Sequence, residues 1–446
     1  MKQLARIVMA YDVRGLVPDE LNEEVAWVLG RAAAVELQGA AIIVGRDMRQ
    51  SSEPLAQAFM QGVRVQGVDT IDIGLASTDL LYYASGKLGH PGAMWTASHN
   101  PARYNGLKLC RAGAAGVSLD SGLAQIRDRA LSGNYPEADA EGTAHQADLI
   151  DDYAEHVRSF INLAALRPLS VVVDAGNGMA GLVVPPIFDG LPVSIDPLYF
   201  ELDGTFPHHP ANPIEPANLV DLQRRVVGTH ADLGLAFDGD ADRMFCVDEQ
   251  GRIVPPSLVV ACIAETLLRR LPGETILYNL ICSHVVPETV EAHGGHAIRT
   301  RVGHSFIKGV MKDTGAVFAG EHSGHYYFRD NFRADSGVIA ALILLEALSE
   351  SGGTLSELLA PYDRYVQSGE INTEVEDQRA ATERVAEEFA SEGEADWADG
   401  LTVNGDGWWF NLRPSNTEPL LRLNVEADDR ATMEEIRDRV VRLLQE

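Results

Sequence analysis

The chain has 446 residues, 46% of them hydrophobic, which gives an expectation of about three domains and allows four. Its 65 acidic against 36 basic residues leave a net charge of −29, a field that repels nucleic acid and anionic membranes unless cations gather locally. The longest apolar run, Val338 to Leu345, is too short to span a bilayer and reads as a buried helix. The N-terminus lacks a leader-like pattern, and Cys110, Cys246, Cys262 and Cys282 are widely spread with no Cys-x-x-Cys, so a cytoplasmic protein with reduced thiols is expected.

Along the chain, three segments share one grammar: an apolar strand, a polar or glycine-rich loop, then a helix. They are Ala41 to Val44 before Gly45-Arg46-Asp47, Val171 to Val173 before Asp174-Ala175-Gly176, and Thr275 to Tyr278 before Asn279. Three related α/β units are expected, with ligands at the carboxyl ends of the strands. Within the first unit, Thr96-Ala97-Ser98-His99-Asn100-Pro101 follows the apolar Ala93-Met94-Trp95. Asn100-Pro101 favours a rigid turn, which suits Ser98 to meeting a ligand, although a serine taken alone in such a turn more often caps a helix or decorates the turn. Linkers are expected between Asp139 and Gln146 and near Val254-Pro255-Pro256.

Gly176-Asn177-Gly178-Met179-Ala180-Gly181 fits G-x-G-x-x-G after a strand, with Asp196 where a ribose-binding acid would lie. Pro185-Pro186 would stop the following helix within about two turns, which weakens a dinucleotide site. Farther on, Asp238, Asp240 and Asp242 alternate after the strand-like Leu233 to Phe237 and fall on one side of an extended chain. Carboxylates so crowded call for a cation or a proton, and hard oxygen ligands suit magnesium or calcium. Together with Glu249 they match positions 1, 3, 5 and 12 of a calcium loop, but Arg243 stands where the needed glycine should be. A solvated acidic turn is the plain alternative.

Gly303-His304-Ser305 opens a helix whose dipole favours a neutral imidazole at His304. Gly320-Glu321-His322-Ser323-Gly324-His325 is a glycine-bounded polar loop suited to hydroxyl recognition; its histidines lack the soft partner a zinc site would need. Beyond a linker at Asp363 to Gly369, strand-like pieces alternate with acidic helices at Asp377 to Glu392 and Ala431 to Gln445, as in a separate α+β domain. In it, Arg413-Pro414-Ser415-Asn416-Thr417-Glu418-Pro419 offers a guanidinium, hydroxyls and backbone N–H groups to a phosphate.

Taken in order, these motifs, with Tyr11-Asp12-Val13-Arg14-Gly15, resemble the α-D-phosphohexomutase family in its bacterial phosphomannomutase and phosphoglucomutase branch. The resemblance covers essentially the whole chain and includes the Gly176 motif, which removes most of its dinucleotide appeal. It implies three related α/β domains and a C-terminal α+β domain around one central cleft, with boundaries at 1–146, 147–254, 255–367 and 368–446. It implies that Ser98 carries a phosphoryl group, that Asp238, Asp240 and Asp242 hold Mg2+ together with the Ser98 phosphate, and that Lys108 and His304 act in acid–base chemistry. Arg14 and Arg243 would complete the surrounding positive charge. Tyr11, Glu321, Ser323 and His325 would bind sugar, and Arg413, Ser415, Asn416 and Thr417 the phosphate that is not reacting.

The implied reaction interconverts mannose 6-phosphate and mannose 1-phosphate through a hexose 1,6-bisphosphate, which also serves as activator. A phosphoglucomutase or dual-specificity mutase is the alternative, and a non-catalytic sugar-phosphate sensor the remoter one. The partner expected is a hexose phosphate, with neither nucleic acid nor membrane; oligomeric state is not legible. Two departures stand out: Ile281-Cys282-Ser283-His284, where the family often carries Lys-Cys-Ser-Arg, and His322, where Met or Gln is common.

Overall fold

In a computed structural model, residues 4–414 and 420–445 are described, except for the side chain of His304. Each of the three repeated apolar runs becomes a central parallel strand. Ala41–Arg46 lies between Asp69–Leu75 and Gly92–Trp95. Leu169–Asp174 lies between Val193–Leu198 and Leu233–Phe237. Thr275–Asn279 lies between His296–Thr300 and Phe318–Gly320. Strands buried on both faces need no polar alternation, which is why they read as continuous apolar runs. The helices Ser52–Val65, Ala180–Phe188 and Val285–Ala292 follow them.

Each sheet then adds one antiparallel hairpin at an equivalent place. Gly92–Trp95 turns back into Tyr104–Arg111, Leu233–Phe237 into Met244–Asp248, and Phe318–Gly320 into Tyr326–Phe328. The three turns carry Ser98, the Asp238 motif and the Glu321 motif. Three separate pieces of sequence thus occupy one topological position, at the carboxyl ends of the parallel strands in three mixed sheets.

A continuous hydrophobic core runs through the first three units, from Ile43 and Met94 through Val171 and Leu235 to Phe318 and Ile339. The helix Gly337–Ser351 is buried along nearly its whole length in this core. Among the described residues no single helix is long and apolar enough to cross a membrane; the bent pair Gly337–Ser351 and Leu355–Tyr362 meets that test only as a pair, turning by 96°. At the start of the helix Thr78–Leu88, buried Asp79 accepts hydrogen bonds from Ser77, from Tyr153 and, at 2.8 Å, from Ser336. One carboxyl therefore ties together side chains from three units.

The C-terminal part has its own antiparallel sheet, ordered Val366–Gln367, Leu420–Ala427, Trp408–Pro414, Leu401–Gly405, Gly393–Asp396, with Ile371–Glu374 also against Leu420–Ala427. Helices Gln378–Phe389 and Arg430–Gln445 pack on it through Phe389, Phe410 and Val440. Two expected linkers are partly regular structure. Ala144–Gln146 forms an exposed edge strand beside Asp69–Leu75, and Val366–Gln367 pairs with Leu420–Ala427. Segments of 3 and 2 residues are too short to show alternation, and backbone pairing alone defines them. At the third expected linker, Pro256 opens the helix Pro256–Arg270, where its missing N–H costs nothing.

Candidate active site

The three hairpin turns converge. The backbones of Arg243 and His325 form an antiparallel bridge, and a Cβ placed on Gly239 would lie 2.4 Å from the carbonyl oxygen of Ser98. Only glycine at 239 allows the Asp238 turn to rest against the Ser98 turn. Behind it, Gly178 faces the Gly239 carbonyl at 2.8 Å by the same construction, and the N–H of Met179 donates to that carbonyl at 2.9 Å. Gly178, the second glycine of the G-x-G-x-x-G motif, thus backs the acidic turn, while Gly176 faces Ala211 and Gly181 the Phe200 backbone. Asp196 is engaged by Arg225 at 2.7 and 2.8 Å, and the helix after the motif ends at Phe188, just past Pro185-Pro186.

Ser98 is buried with φ of +48°, and its hydroxyl donates to Asp238 Oδ2 at 2.6 Å. Arg243 donates through Nε to the same carboxylate at 3.0 Å and through Nη2 to Ser98 Oγ at 3.3 Å. It also donates to Nδ1 of His99, whose pKa is held well below the usual value by burial and by the Arg243 and Arg14 charges. Burial pushes the Asp238 carboxyl up to about 7, aided by Asp242 and Asp240 and opposed by Arg243.

Lys108 Nζ, from Tyr104–Arg111, lies 2.6 Å from Asp240 and 2.6 Å from Asp242. Burial alone would lower its pKa, but these two carboxylates hold it well above the ordinary value. Burial raises Asp240 as well, yet Lys108 and the Thr78 hydroxyl, at 2.6 Å, outweigh it and keep this carboxyl ionised.

Asp238, Asp240 and Asp242 are each at most 2% exposed and each bring an oxygen within 4.8 Å of the others. Oδ1 of Asp240 and Oδ1 of Asp242 are buried without a hydrogen-bond partner among the described residues. Buried carboxylate oxygens left so are strongly disfavoured unless a cation faces them, and an all-oxygen set fits a hard divalent ion.

Glu321 is held from both sides: the Tyr327 hydroxyl donates to Oε1 at 2.5 Å and Asn279 Nδ2 to Oε2 at 3.1 Å. His325 has Nδ1 3.1 Å from the Ser323 hydroxyl and Nε2 3.7 Å from Asp242. Arg14 donates to the Ala97 carbonyl at 2.9 Å and pairs with Asp12 and Asn100. Tyr11, whose pKa burial and Asp399 raise, stands against Gly303 and edge-on to Phe306.

A cavity of about 170 Å³ is lined by Tyr11, Arg14, Ser98, Lys108, Arg243 and His325, with Asp12, His99, Asp242, Tyr82 and Asp335 completing the wall. Of the expected residues, Glu321 and Ser323 lie beside it through His325. Arg413 pairs with Glu370 at 3.4 Å and makes its charge felt at Tyr11. Ser415, Asn416 and Thr417, and the side chain of His304, lie outside the described residues; the His304 backbone does open the helix His304–Thr314, as expected.

Sequence reading missed Tyr82, Asp335 and Arg49. Tyr82 lies mid-helix, and its ring covers the Lys308 ammonium at 3.6 Å, while Lys308 pairs with Asp335 at 3.2 Å. The departures also find their places. His322 shares a hydrogen bond of 3.0 Å with Ser257, and both it and Ile281 line a small separate cavity beside Trp409 and Glu426.

The chain matches the four domain profiles of phosphoglucomutase/phosphomannomutase: α/β/α domain I over residues 5–134, domain II over 151–251, domain III over 255–365 and the C-terminal domain over 370–443. A phosphomannomutase of Salmonella montevideo is 40% identical over 430 residues, covering 94% of each chain. A phosphomannomutase/phosphoglucomutase of Pseudomonas aeruginosa is 37% identical, covering 97% of this chain and 94% of that one. The crystal structure of a phosphoglucomutase/phosphomannomutase family protein from Burkholderia thailandensis superposes with a TM-score of 0.90 at 32% identity, covering 99% and 97%. On the four matched domains and this identity over nearly the full length, the chain belongs to the phosphoglucomutase/phosphomannomutase family of phosphohexomutases, intramolecular phosphotransferases of the isomerase class.

Proposed function

We propose that the protein is a phosphomannomutase that interconverts mannose 6-phosphate and mannose 1-phosphate, carrying the phosphoryl group on Ser98. The observation that carries the reading is the Ser98 hydroxyl 2.6 Å from Asp238, inside a buried set of three carboxylates with Lys108 and Arg243 against it. Phosphoryl transfer asks for in-line placement and charge neutralisation more than for covalent chemistry, and this cluster gathers both signs of charge in a chain otherwise dominated by acids.

A sugar hydroxyl in the cavity attacks phosphorus as the bond to Ser98 Oγ breaks. Lys108, held protonated by Asp240 and Asp242, supplies positive charge and a proton for the leaving serine oxygen. His304, at the start of the helix His304–Thr314, accepts the proton of the attacking hydroxyl, while His325, whose imidazole lines the cavity, binds the sugar. Arg243 and Arg14 hold the Ser98 turn and balance the phosphoryl charge. Asp238, Asp240, Asp242 and the Ser98 oxygen would hold Mg2+, which neutralises charge on the transferring group when bound. The bisphosphate then turns over within the cleft, its other phosphate returns to Ser98, and Arg413 with Ser415, Asn416 and Thr417 grips the idle one. Hexose 1,6-bisphosphate primes any unphosphorylated enzyme. On this reading the domains divide at 146 and 254, and the third division, expected at 367, falls just before Val366–Gln367, which pairs into the C-terminal sheet.

The test is mutase turnover of mannose 1-phosphate and glucose 1-phosphate with catalytic bisphosphate. Higher kcat/KM on mannose 1-phosphate is expected; equal or reversed preference would instead indicate the dual-specificity or glucose enzyme. Ser98→Ala should lose turnover by several orders of magnitude while binding substrate. No turnover of either sugar by a Ser98-phosphorylated preparation would leave only the sensor.

A further inference from the structure

Ser98 occupies the left-handed region of backbone space, with φ of +48°, where a residue with a side chain is strained and persists only if its surroundings impose it. Those surroundings centre on one side chain remote in sequence from the Ser98 turn. Arg49 is 2% exposed. Its Nη2 donates to the carbonyls of Ser98 at 2.8 Å and Asn100 at 2.7 Å, and its Nη1 to those of Pro101 at 3.0 Å and Tyr104 at 3.1 Å. Its Nε donates to Asp47 Oδ2 at 3.1 Å, while Asp47 Oδ1 accepts the Arg49 N–H and the Ser52 hydroxyl. Every N–H of the guanidinium is used, in a planar fork that no other side chain offers.

The second unit covers this grip. The Phe206 ring lies over the guanidinium, 5.0 Å from its carbon, and a Cβ on Gly204 would meet Arg49 Cα at 2.5 Å. Phe206 is itself left-handed, at φ +52°. On its far side the Ser98 carbonyl meets Gly239 of the acidic turn. Ser98 is thus fixed between an arginine from the first unit and a turn from the second, and its Oγ is aimed at Asp238 as a result. Arg49 does not line the cavity, so its influence on the reaction passes through the serine.

We propose that Arg49 is a positioning residue for phosphoryl transfer: a clamp on the backbone carbonyls of the Ser98 turn that sets the direction of the serine oxygen, with Phe206 as its cover. The proposal rests on Ser98 being the phosphoryl carrier. In the step affected, a bond forms between Ser98 Oγ and phosphorus as the phosphorus–oxygen bond of the bisphosphate breaks, and the hexose monophosphate leaves with the serine proton.

The experiment compares wild-type protein, Arg49→Lys and Phe206→Leu. Each is primed with glucose 1,6-bisphosphate and magnesium and followed by intact mass, and each is assayed for kcat and KM on mannose 1-phosphate. Lysine keeps the charge but cannot serve four carbonyls and Asp47 at once. A loss of alignment on the order of 1 Å costs about 100-fold in rate. In folded Arg49→Lys, kcat and the rate of Ser98 phosphorylation should both fall by about 10- to 100-fold, with KM and magnesium affinity unchanged. Phe206→Leu, at a half-exposed surface position, should show a smaller fall of the same kind. A folded Arg49→Lys with wild-type kcat, or one whose KM rises in step with the loss, overturns the proposal. Should Arg49→Lys fail to fold, an unchanged kcat in Phe206→Leu overturns it. Wild-type protein that takes no phosphoryl on Ser98 refutes the Ser98 reading itself, whereas equal priming of wild type and Arg49→Lys refutes only the clamp.

Discussion

Glu321 shows how a single side chain is prepared for a ligand before the ligand arrives. Tyr327 and Asn279 fix both of its oxygens, so the lone pairs that remain point in a set direction. Glu321→Ala leaves those two donors and any sugar hydroxyl unpaired, at a cost of about 1–3 kcal/mol. The expected outcome is a fall of about 5- to 150-fold in kcat/KM on both sugars; unchanged efficiency on both would remove the Glu321 turn from the site. Asp240→Asn takes a charge from the acidic set and from Lys108 together, so metal titration of activity should show a weaker apparent affinity, and identical metal dependence would contradict the assignment. Ser98 and the aspartates were legible because their chemistry is compact in sequence. Arg49 was not: the carbonyls it holds lie 49 to 55 residues away, and nothing local marks a side chain whose partners are distant backbone. Tyr82 and Asp335 escaped because the side chain they share, Lys308, is remote from both in sequence.

At the scale of elements, the strand–loop–helix grammar of the three units could be read because each central strand is a continuous apolar run. The equivalence of the three hairpin turns could not, since Phe318–Gly320 and Tyr326–Phe328 have 3 residues each and show no alternation. Their convergence depends on glycine at 239. Gly239→Ala would push the Ser98 carbonyl away from the acidic turn, and it should lower kcat by at least about tenfold, as small displacements of reacting groups do; a folded variant with wild-type kcat would show that the turns do not need this approach. The start of the helix Thr78–Leu88 gives a pH test. Burial pushes the Asp79 carboxyl up to about 6, against hydrogen bonds from Ser77, Tyr153 and Ser336. A carboxyl whose folded pKa exceeds its unfolded value of about 3.9 binds more protons when folded. Its contribution is therefore full below about pH 4 and is lost as pH rises through about 6, by up to about 3 kcal/mol. The stability of wild type relative to Asp79→Asn should drop across that window and stay level above about pH 7; a difference independent of pH would show that this carboxyl does not titrate there. The two family departures, Ile281 and His322, also act at this scale. They meet Trp409 and Glu426 where the third unit faces the C-terminal one, and Glu426 receives the His284 N–H at 2.9 Å and Trp409 Nε1 at 2.8 Å.

For the whole molecule, a net charge of −29 means self-repulsion that salt relieves, since the screening length falls from about 10 Å at 0.1 M to about 3 Å at 1 M. The midpoint of thermal unfolding should rise between those salt concentrations, and a fall would show that specific ion pairs outweigh the overall field. The same excess of acid makes the few cations at the cleft valuable. The pairing of Arg299 with Asp396 and the Val302 N–H on Asp399 at 3.1 Å join the C-terminal unit to the third, and Arg413 is the cation proposed to act from it. Arg413→Ala should cost about 1.5–3 kcal/mol in transition-state binding, a loss of about 10- to 100-fold in kcat/KM, and release more bisphosphate per turnover; wild-type efficiency without extra release would contradict a clamp at this residue. In the proposed mechanism Ser98 carries the phosphoryl group between the two ends of a hexose. The most direct test is a rapid-quench chase of enzyme labelled from phosphorus-labelled glucose 1,6-bisphosphate with unlabelled mannose 1-phosphate, the label being mapped by peptide mass. Label is expected on Ser98 and should pass to hexose bisphosphate at least as fast as kcat. Label on another residue, or label on Ser98 that leaves more slowly than turnover, would contradict the mechanism.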